Sequence, residues 1–256
     1  MKYKLFRKRV YPTLLLKDRT FVKSRKFKDF TYIGNPLNTI QIFNEIGVDE
    51  ISILDINAHL RGIDFDYIED LASEAFIPVS YGGGIRSIDD VSRIIDCGVE
   101  KIILSYPALK NPSLIQEISN KIGSSSTIFC LNFKKSFIFS GYRVFDHSRK
   151  RSKNRLTNDF VKKIISYGVG EIILQSVSND GCWNGFPIDN LSEKGLFNDV
   201  TVPLIFLGGI GSIKEINELL DYETCSAVSI SSLALFQRKN QGVVISFPTN
   251  EEIING

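Results

Sequence analysis

Apolar and polar positions along the chain follow two patterns: short runs rich in β-branched residues, and longer amphipathic stretches. The short runs predict eight strands, which are Arg9–Leu16, Glu50–Asp55, Ile77–Tyr81, Lys101–Ser105, Thr127–Asn132, Glu171–Ser176, Val202–Leu207 and Ala227–Ser231. The longer stretches predict helices between them, for example Asn38–Ile46, Ile88–Cys97, Ser113–Ile122, Asn158–Tyr167 and Ile213–Leu220. Strands and helices that alternate in this order form parallel sheets. We therefore predict an α/β protein with the fold of a single (β/α)₈ TIM barrel.

An internal repeat indicates that this barrel is built from two similar halves. Pro78–Ile88 reads like Pro203–Ile213, at an offset of 125 residues. Gly47–Ile51 likewise reads like Gly168–Ile172, at an offset of 121 residues. Repeats at nearly one period indicate repeated structural units. We expect a two-fold half-barrel repeat, and the length of 256 residues suits one barrel domain over 1–256.

Composition and charge exclude several classes of function. The 31 Lys and Arg residues nearly balance the 29 Asp and Glu residues, so no overall field attracts nucleic acid. Pro12 and Lys17 interrupt the first apolar stretch, which argues against a signal peptide or a membrane span. We expect a cytoplasmic protein. His59 and His147 lack the spacing of metal ligands, and we predict neither a metal nor a cofactor.

Two pairs of glycines lie directly between a predicted strand and the next helix. Glycine lets the backbone come close to an anion, and a helix N-terminus favours the negative charge. Each pair is followed by a serine near the end of the next strand, which adds a hydroxyl donor. The predicted phosphate-binding residues are Gly83, Gly84, Ser105, Gly208, Gly209 and Ser232. Two phosphate sites suit a ligand with a phosphate at each end; tight turn geometry alone is the alternative.

Four of the predicted strands begin at or near a charged residue. These residues are Arg9, Glu50, Lys101 and Glu171. Side chains alternate between the two faces of a strand, so one phase places all four on the inner face of the barrel. There two cations and two anions would form a neutral ring, and buried charges require such pairing. Charged strand starts that face the solvent are the alternative.

The segment His147–Arg155 is a dense basic run after the fifth predicted strand. Functional groups of such barrels lie at the C-terminal ends of the strands, and this loop belongs to that end. The run is either a solvated loop or a contact for an anionic substrate or a partner protein. It has no interleaved aromatic residues, so nucleic-acid binding has no support.

Strings of residues over nearly the whole chain carry a family resemblance. They are Arg9–Pro12, Lys17–Asp18, Val22–Lys23, Gly47–Glu50, Leu54–Asp55, Gly82–Ile85, Lys110–Ile115, Gly170–Leu174, Asp180–Gly181 and Gly208–Gly209. With these strings the chain resembles the cyclase subunit of imidazole-glycerol-phosphate synthase, a lyase of histidine biosynthesis. In that family a separate glutaminase docks on the N-terminal barrel face, and ammonia enters through a gate of four charged residues. The resemblance assigns the gate to Arg9, Glu50, Lys101 and Glu171.

The catalytic residues of that family are not all present. Its cyclase reaction uses two aspartates at the ends of strands one and five, and the resemblance places Leu15 and Asn132 at those positions. Leucine carries no proton, and asparagine exchanges none near neutral pH. Lys23 and Asp180 are retained, but they do not form an acid–base pair that replaces the aspartates. We therefore expect that the cyclase activity is lost.

A smaller set of strings resembles a branch of this family that is linked to bacterial surface sugars. They are Leu14–Lys17, Lys26–Lys28, Leu235–Gln237 and Ser246–Pro248. In that branch an acetamido group becomes an acetamidino group, and the barrel with its glutaminase supplies ammonia to an ATP-dependent amidotransferase. We expect an ammonia-channelling subunit with these two partners and with a phosphorylated small molecule or phosphate at its C-terminal face. An active cyclase and a non-catalytic phosphosugar-binding or scaffold barrel are the alternatives.

Overall fold

The computed structural model describes residues 8–138, 141–192, 195–197, 200–239 and 241–255. The strands are β1 (Arg9–Lys17), β2 (Thr20–Arg25), β3 (Lys28–Gly34), β4 (Ile51–Asp55), β5 (Val79–Gly82), β6 (Lys101–Ser105), β7 (Thr127–Lys135), β8 (Tyr142–Asp146), β9 (Arg151–Arg155), β10 (Glu171–Ser176), β11 (Leu204–Leu207) and β12 (Cys225–Ile230). The α-helices are α1 (Pro36–Ile46), α2 (Ala58–Arg61), α3 (Phe65–Glu74), α4 (Ile88–Asp96), α5 (Pro112–Ile122), α6 (Asn158–Ile165), α7 (Ile188–Ser192), α8 (Ile213–Leu220), α9 (Ser232–Leu235) and α10 (Asn250–Asn255). Two short 3₁₀ helices cover Tyr106–Lys110 and Ser124–Ser126.

Eight parallel strands close into a barrel. The order around it is β1, β4, β5, β6, β7, β10, β11 and β12, and β12 pairs with β1 to complete the circle. Helices lie between these strands along the chain. The predicted (β/α)₈ TIM barrel is confirmed. The predicted strands differ from these eight only at their ends; β11, for example, begins at Leu204 because the preceding Pro203 has no N–H for the ladder.

The barrel has an apolar interior and an apolar outer layer. Inside, apolar side chains from the neighbouring strands β6, β7, β10, β11 and β12 form a cluster with Tyr11; these residues are Ile103, Ile128, Ile173, Ile205 and Leu207, with Cys130 and Ala227. A larger cluster lies between the strands and the helices and includes Phe43, Val91, Ile115, Val161 and Ile216. Layers of side chains inside and outside the strands are typical of this fold.

Local sequence signals fix the starts of the helices. Ser87 caps α4 through the N–H of Asp90, whose carboxylate bonds back to the N–H of Ser87. Ser212 caps α8 through the N–H of Glu215, whose carboxylate accepts from the N–H of Gly211. Such caps satisfy N–H groups that have no partner within the helix. Both capping serines follow a glycine turn, so the half-barrel repeat includes the helix starts.

Two antiparallel hairpins extend the barrel at its C-terminal end. β2 and β3 follow β1, and β8 and β9 follow β7, so the hairpins occupy equivalent places in the two halves. The basic run His147–Arg155 was predicted as a loop, and this is wrong in part. Residues 147–150 form the turn, and Arg151–Arg155 is strand β9. Pairing with β8, which polarity does not reveal, orders this strand.

No helix within the described residues has the length and apolarity that crossing a membrane requires.

Candidate functional site

The four charged strand starts meet in one network at the N-terminal end of the barrel. Arg9 donates from Nη1 to Glu50 Oε2 at 2.8 Å and from Nη2 to Glu171 Oε1 at 2.7 Å. Lys101 Nζ donates to Glu50 Oε2 at 3.0 Å and lies 3.6 Å from Glu171 Oε2. The four side chains therefore form a closed ring of alternating charge, as expected for the inward phase.

Burial and pairing both act on this ring. The Glu50 side chain is only 3% exposed, whereas Arg9 is 28% exposed and reaches the solvent. Burial alone would lower the pKa of Arg9, but Glu171 and Glu50 raise it above its ordinary value. Buried charges are tolerated when each has an opposite charge and hydrogen bonds. The ring is thus a network of paired charges without net charge at the N-terminal end of the barrel.

Both glycine turns adopt conformations that only glycine enters easily. Gly83 has a φ of 144° and Gly208 a φ of 103°. A Cβ on Gly83 would collide with the backbone oxygen of Asp55, and one on Gly208 would lie 2.7 Å from the oxygen of Ser176. Packing therefore accounts for both glycines, with or without an anion.

The second half of the barrel also has a pocket at its glycine turn. Gly208, Gly209 and Ser232 line it together with Asp180, and the rest of the wall is formed by Ile210, Ser229, Ile230 and Ser231. In the first half, Gly83 and Gly84 follow β5, and Ser105 ends the neighbouring strand β6. The predicted phosphate-binding residues thus gather at two points of the C-terminal mouth.

Asn132 is buried in the mouth and contacts a histidine. Its Nδ2 lies 3.5 Å from His147 Nδ1, and the thiol of Cys130 approaches its Oδ1 at 3.7 Å. The same thiol lies 3.5 Å from Oε1 of Gln175. Leu15, on the other side of the barrel, is buried beside Leu54 and Val22. The mouth therefore has Leu15 and Asn132 where the resemblance implies two aspartates, and Gln175 and His147 lie beside Asn132.

His147 is the main feature that the sequence did not indicate. It was interpreted as a simple loop residue, but the turn between β8 and β9 folds it back onto Asn132. Burial lowers the pKa of His147, Asp146 raises it, and the nearby His59 lowers it again. The net effect is a pKa below 6.5, so the imidazole is neutral in the folded protein at pH 7.

The lowered pKa of His147 predicts a pH dependence of stability. The unfolded chain takes up this proton near pH 6.5 and the folded chain only at lower pH. The contribution of neutral His147 to the free energy of unfolding is therefore full above pH 6.5 and declines as the pH falls below 6.5. We expect His147→Gln to flatten this decline in urea unfolding measured at pH 7, 6 and 5. His147→Gln also assigns the two histidine signals in an NMR titration, because the signal that disappears belongs to His147. A His147 signal that titrates above pH 6.5 would contradict the prediction.

Lys23 and Asp180 form a buried ion pair at the mouth. Lys23 Nζ donates to Asp180 Oδ1 at 2.6 Å and to the carbonyl oxygen of Ser24 at 2.8 Å, and Ser24 Oγ donates to Asp180 Oδ2 at 2.8 Å. Both charged side chains are nearly inaccessible to solvent. The pair attaches β2 to the loop after β10. In this conformation the Lys23 ammonium is engaged within the protein.

A second ion pair at the mouth, between Asp55 and Arg61, was also not anticipated. Arg61 Nη2 donates to Asp55 Oδ2, and Asp55 Oδ1 accepts from the N–H groups of Asn57 and Ala58. Burial raises the pKa of Asp55, and Arg61 counteracts this. The spacing of six residues across a short helix gave no signal in the sequence.

Fold and site together define a (β/α)₈ barrel with a charged entrance at one end and glycine turns at the other. The profile of the histidine biosynthesis protein family matches residues 9–240. The chain belongs to this family. The match covers all eight barrel strands and every residue of the candidate site.

Several relatives agree with the family and extend over nearly the whole chain. A protein of Vibrio vulnificus, provisionally named imidazole glycerol phosphate synthase subunit hisF3, is 38% identical over 253 residues, covering 98% of this chain and 96% of its own length. The provisionally named subunit hisF2 of Pseudomonas aeruginosa is 40% identical over 246 residues, covering 95% and 97%. The imidazole glycerol phosphate synthase subunit HisF of Campylobacter concisus is 35% identical over 229 residues, covering 88% and 89%.

Proposed function

We propose that this chain, acting as one barrel domain, is the ammonia-conducting subunit of a glutamine amidotransferase complex. It binds and activates a glutaminase at its N-terminal face, and ammonia passes through the barrel to its mouth. The observation that carries the proposal is a complete charged ring at the entrance of a barrel whose mouth has Leu15 and Asn132. The relatives are named as subunits of a synthase, which supports assembly with a second chain.

The chemistry of the mouth supports transfer over cyclisation. Leu15 offers no proton, and the Asn132 amide donates a hydrogen bond without exchanging a proton near pH 7. Lys23 is held by Asp180 and the Ser24 carbonyl. Ammonia that reaches the mouth is therefore not consumed by this chain and passes to a second enzyme.

The downstream step is the conversion of an acetamido to an acetamidino group on a bacterial surface sugar by an ATP-dependent amidotransferase. The strings Leu14–Lys17 and Lys26–Lys28 support this branch. The hairpin of β8 and β9 supplies a surface for the amidotransferase, since it carries Arg149 and Arg151 at the same end of the barrel as the mouth. A basic strand beside an exit suits an acidic partner surface.

The two glycine turns are proposed to hold phosphate or a phosphorylated small molecule. Gly208, Gly209 and Ser232 line one small pocket of about 10 Å³, room for about one water molecule, so phosphate binding there requires the turn to open. Asp180 lines this pocket, but its charge is balanced by Lys23, so it does not exclude an anion. The arrangement of Gly83, Gly84 and Ser105 supports the equivalent site.

A glutaminase assay tests the proposed function. The chain should raise turnover of its glutaminase partner by roughly tenfold or more, each factor of ten being about 1.4 kcal/mol of activation free energy. Lys101→Met and Glu50→Ala break the ring and should abolish protected transfer of ammonia to the mouth. Lys214→Met and Glu218→Ala, which alter an exposed pair, are the matched controls. A glutaminase that responds to neither the chain nor the ring variants would refute the proposal.

The second candidate function is a working cyclase, and one observation favours it. His147 beside Asn132 is a titratable group near the position of a missing aspartate. The purified chain with ammonium and the bisphosphate substrate should then show turnover that His147→Gln removes. If only the double variant Leu15→Asp, Asn132→Asp shows turnover, cyclase activity has been lost and the ammonia-conducting function is favoured.

A further inference from the structure

Tyr11 places a hydroxyl inside the barrel that has no hydrogen-bond partner in the described part of the chain. The side chain is fully buried on β1, two residues after Arg9, among Ile103 and Ile173 of the interior cluster. Ser52 Oγ is a polar neighbour that lowers the pKa of the phenol, but it does not meet hydrogen-bond geometry with the Tyr11 hydroxyl and bonds to Ser80 Oγ at 2.6 Å. An unsatisfied buried hydroxyl costs free energy, and each such group calls for an explanation.

The phenol lies beside the charged ring. The guanidinium carbon of Arg9 is 5.9 Å from the centre of the Tyr11 ring. Burial raises the pKa of Tyr11 well above 10, Glu50 raises it further, and Arg9 opposes them, so the phenol stays protonated. The Tyr11 hydroxyl is therefore close enough to the charged residues of the ring to interact with them electrostatically.

Two carboxylate oxygens of the ring are unsatisfied as well. Glu50 Oε1 and Glu171 Oε2 are buried without a hydrogen bond among the residues that the structure describes. Lys101 Nζ, at 3.6 Å, is only an electrostatic neighbour of Glu171 Oε2. Two carboxylate acceptors and one hydroxyl donor thus remain open at the N-terminal end of the barrel, where Glu50 and Glu171 both act on the Tyr11 phenol.

These three groups select for a particular kind of molecule. Its lone pair must accept from the Tyr11 hydroxyl, and its hydrogens must donate to the two carboxylates. Ammonia has one lone pair and three hydrogens; water has the same two capacities and would fill the site at rest. The ring contains two cations and two anions, so it does not favour a charged occupant over a neutral one.

We propose that Tyr11, Glu50 and Glu171 form a binding site for one small neutral hydrogen-bonding molecule on the inner side of the ring, and that Tyr11 receives ammonia there. The ammonia role rests on the proposed function; the site itself does not. Tyr11 is then a specificity-determining residue of the passage, because an apolar side chain would leave the lone pair of arriving ammonia without a hydrogen-bond donor.

The proposed site can be tested without a partner protein, by determining whether a small molecule occupies it. A high-resolution crystal structure of the full chain should show one ordered solvent-sized molecule within hydrogen-bond distance of Tyr11 Oη and one of the two carboxylates. In Tyr11→Phe this molecule should be lost or displaced. A dry interior in the unmodified chain would overturn the proposal.

Transfer tests the role of ammonia. With its glutaminase, Tyr11→Phe should deliver roughly tenfold less glutamine-derived ammonia at the mouth, one factor of ten being about 1.4 kcal/mol. Delivery from added ammonium chloride outside the barrel should not change. Tyr81→Phe is the matched control, because its buried hydroxyl already contacts Asp55 at 3.4 Å. If the unmodified chain transfers ammonia and Tyr11→Phe equals it, the role of Tyr11 is refuted and the proposed function stands. If the unmodified chain transfers no ammonia, the proposed function fails. The crystal structure, by showing or not showing an ordered molecule beside Tyr11, then decides whether the binding site exists.

Discussion

The Lys23→Met variant should lose about 3–5 kcal/mol of unfolding free energy, because removal of one member of a buried ion pair leaves the other charge uncompensated. Lys23 and Asp180 are both nearly inaccessible, and their atoms are 2.6 Å apart. Methionine keeps most of the length of the side chain, so the loss reports mainly on charge. Urea unfolding at pH 7 measures it.

A matched variant separates burial from charge. Lys214→Met removes the same type of charge from the exposed pair with Glu218 and should change stability by less than about 0.5 kcal/mol. The double variant Lys23→Met, Asp180→Leu should recover much of the loss, since it leaves no isolated charge. A Lys23→Met protein as stable as the unmodified chain would show that the mouth opens and hydrates the pair.

The Gly83→Ala variant should lose about 2–6 kcal/mol, since two costs combine. Its φ of 144° strains any residue with a Cβ, which costs about 1–3 kcal/mol. The added carbon also collides with the backbone oxygen of Asp55, and overpacking costs about 1–3 kcal/mol more. Thermal and urea unfolding would detect a loss of this size.

Gly47 provides the control for Gly83. Its φ of 74° is also positive, but nothing lies within 4 Å of an added Cβ. Gly47→Ala should therefore cost only about 1 kcal/mol, the conformational part alone. Equal losses at the two positions would mean that the turn after β5 has room to relax.

The barrel strands were predictable because their burial depends on local pattern. Lys101–Ser105 and Glu171–Ser176 have the predicted bounds, since each is a short apolar run flanked by polar residues. The hairpins were not predictable in this way. β3 (Lys28–Gly34) is largely exposed, and pairing with β2 rather than an apolar period holds it in place.

In the candidate site, too, some residues could be predicted from the local sequence pattern and others could not. Strand phase places Arg9 and Tyr11 on one face, and the charged ring follows from that phase. The contact between His147 and Asn132 depends on a hairpin that turns the chain back over the mouth, which no local signal specifies. The missing partner of Tyr11 likewise depends on what surrounds it in three dimensions.

The two mouth hairpins belong to different halves of the repeat, yet they touch. Phe27 of the first hairpin packs edge-on against Phe145 of the second, with ring centres 6.0 Å apart. The Lys26 N–H also donates to the carbonyl oxygen of Asp180 at 2.9 Å. Recombination between relatives at the boundary of the halves would preserve the strands but separate these contacts, so a chimeric barrel needs both mouth segments from one parent.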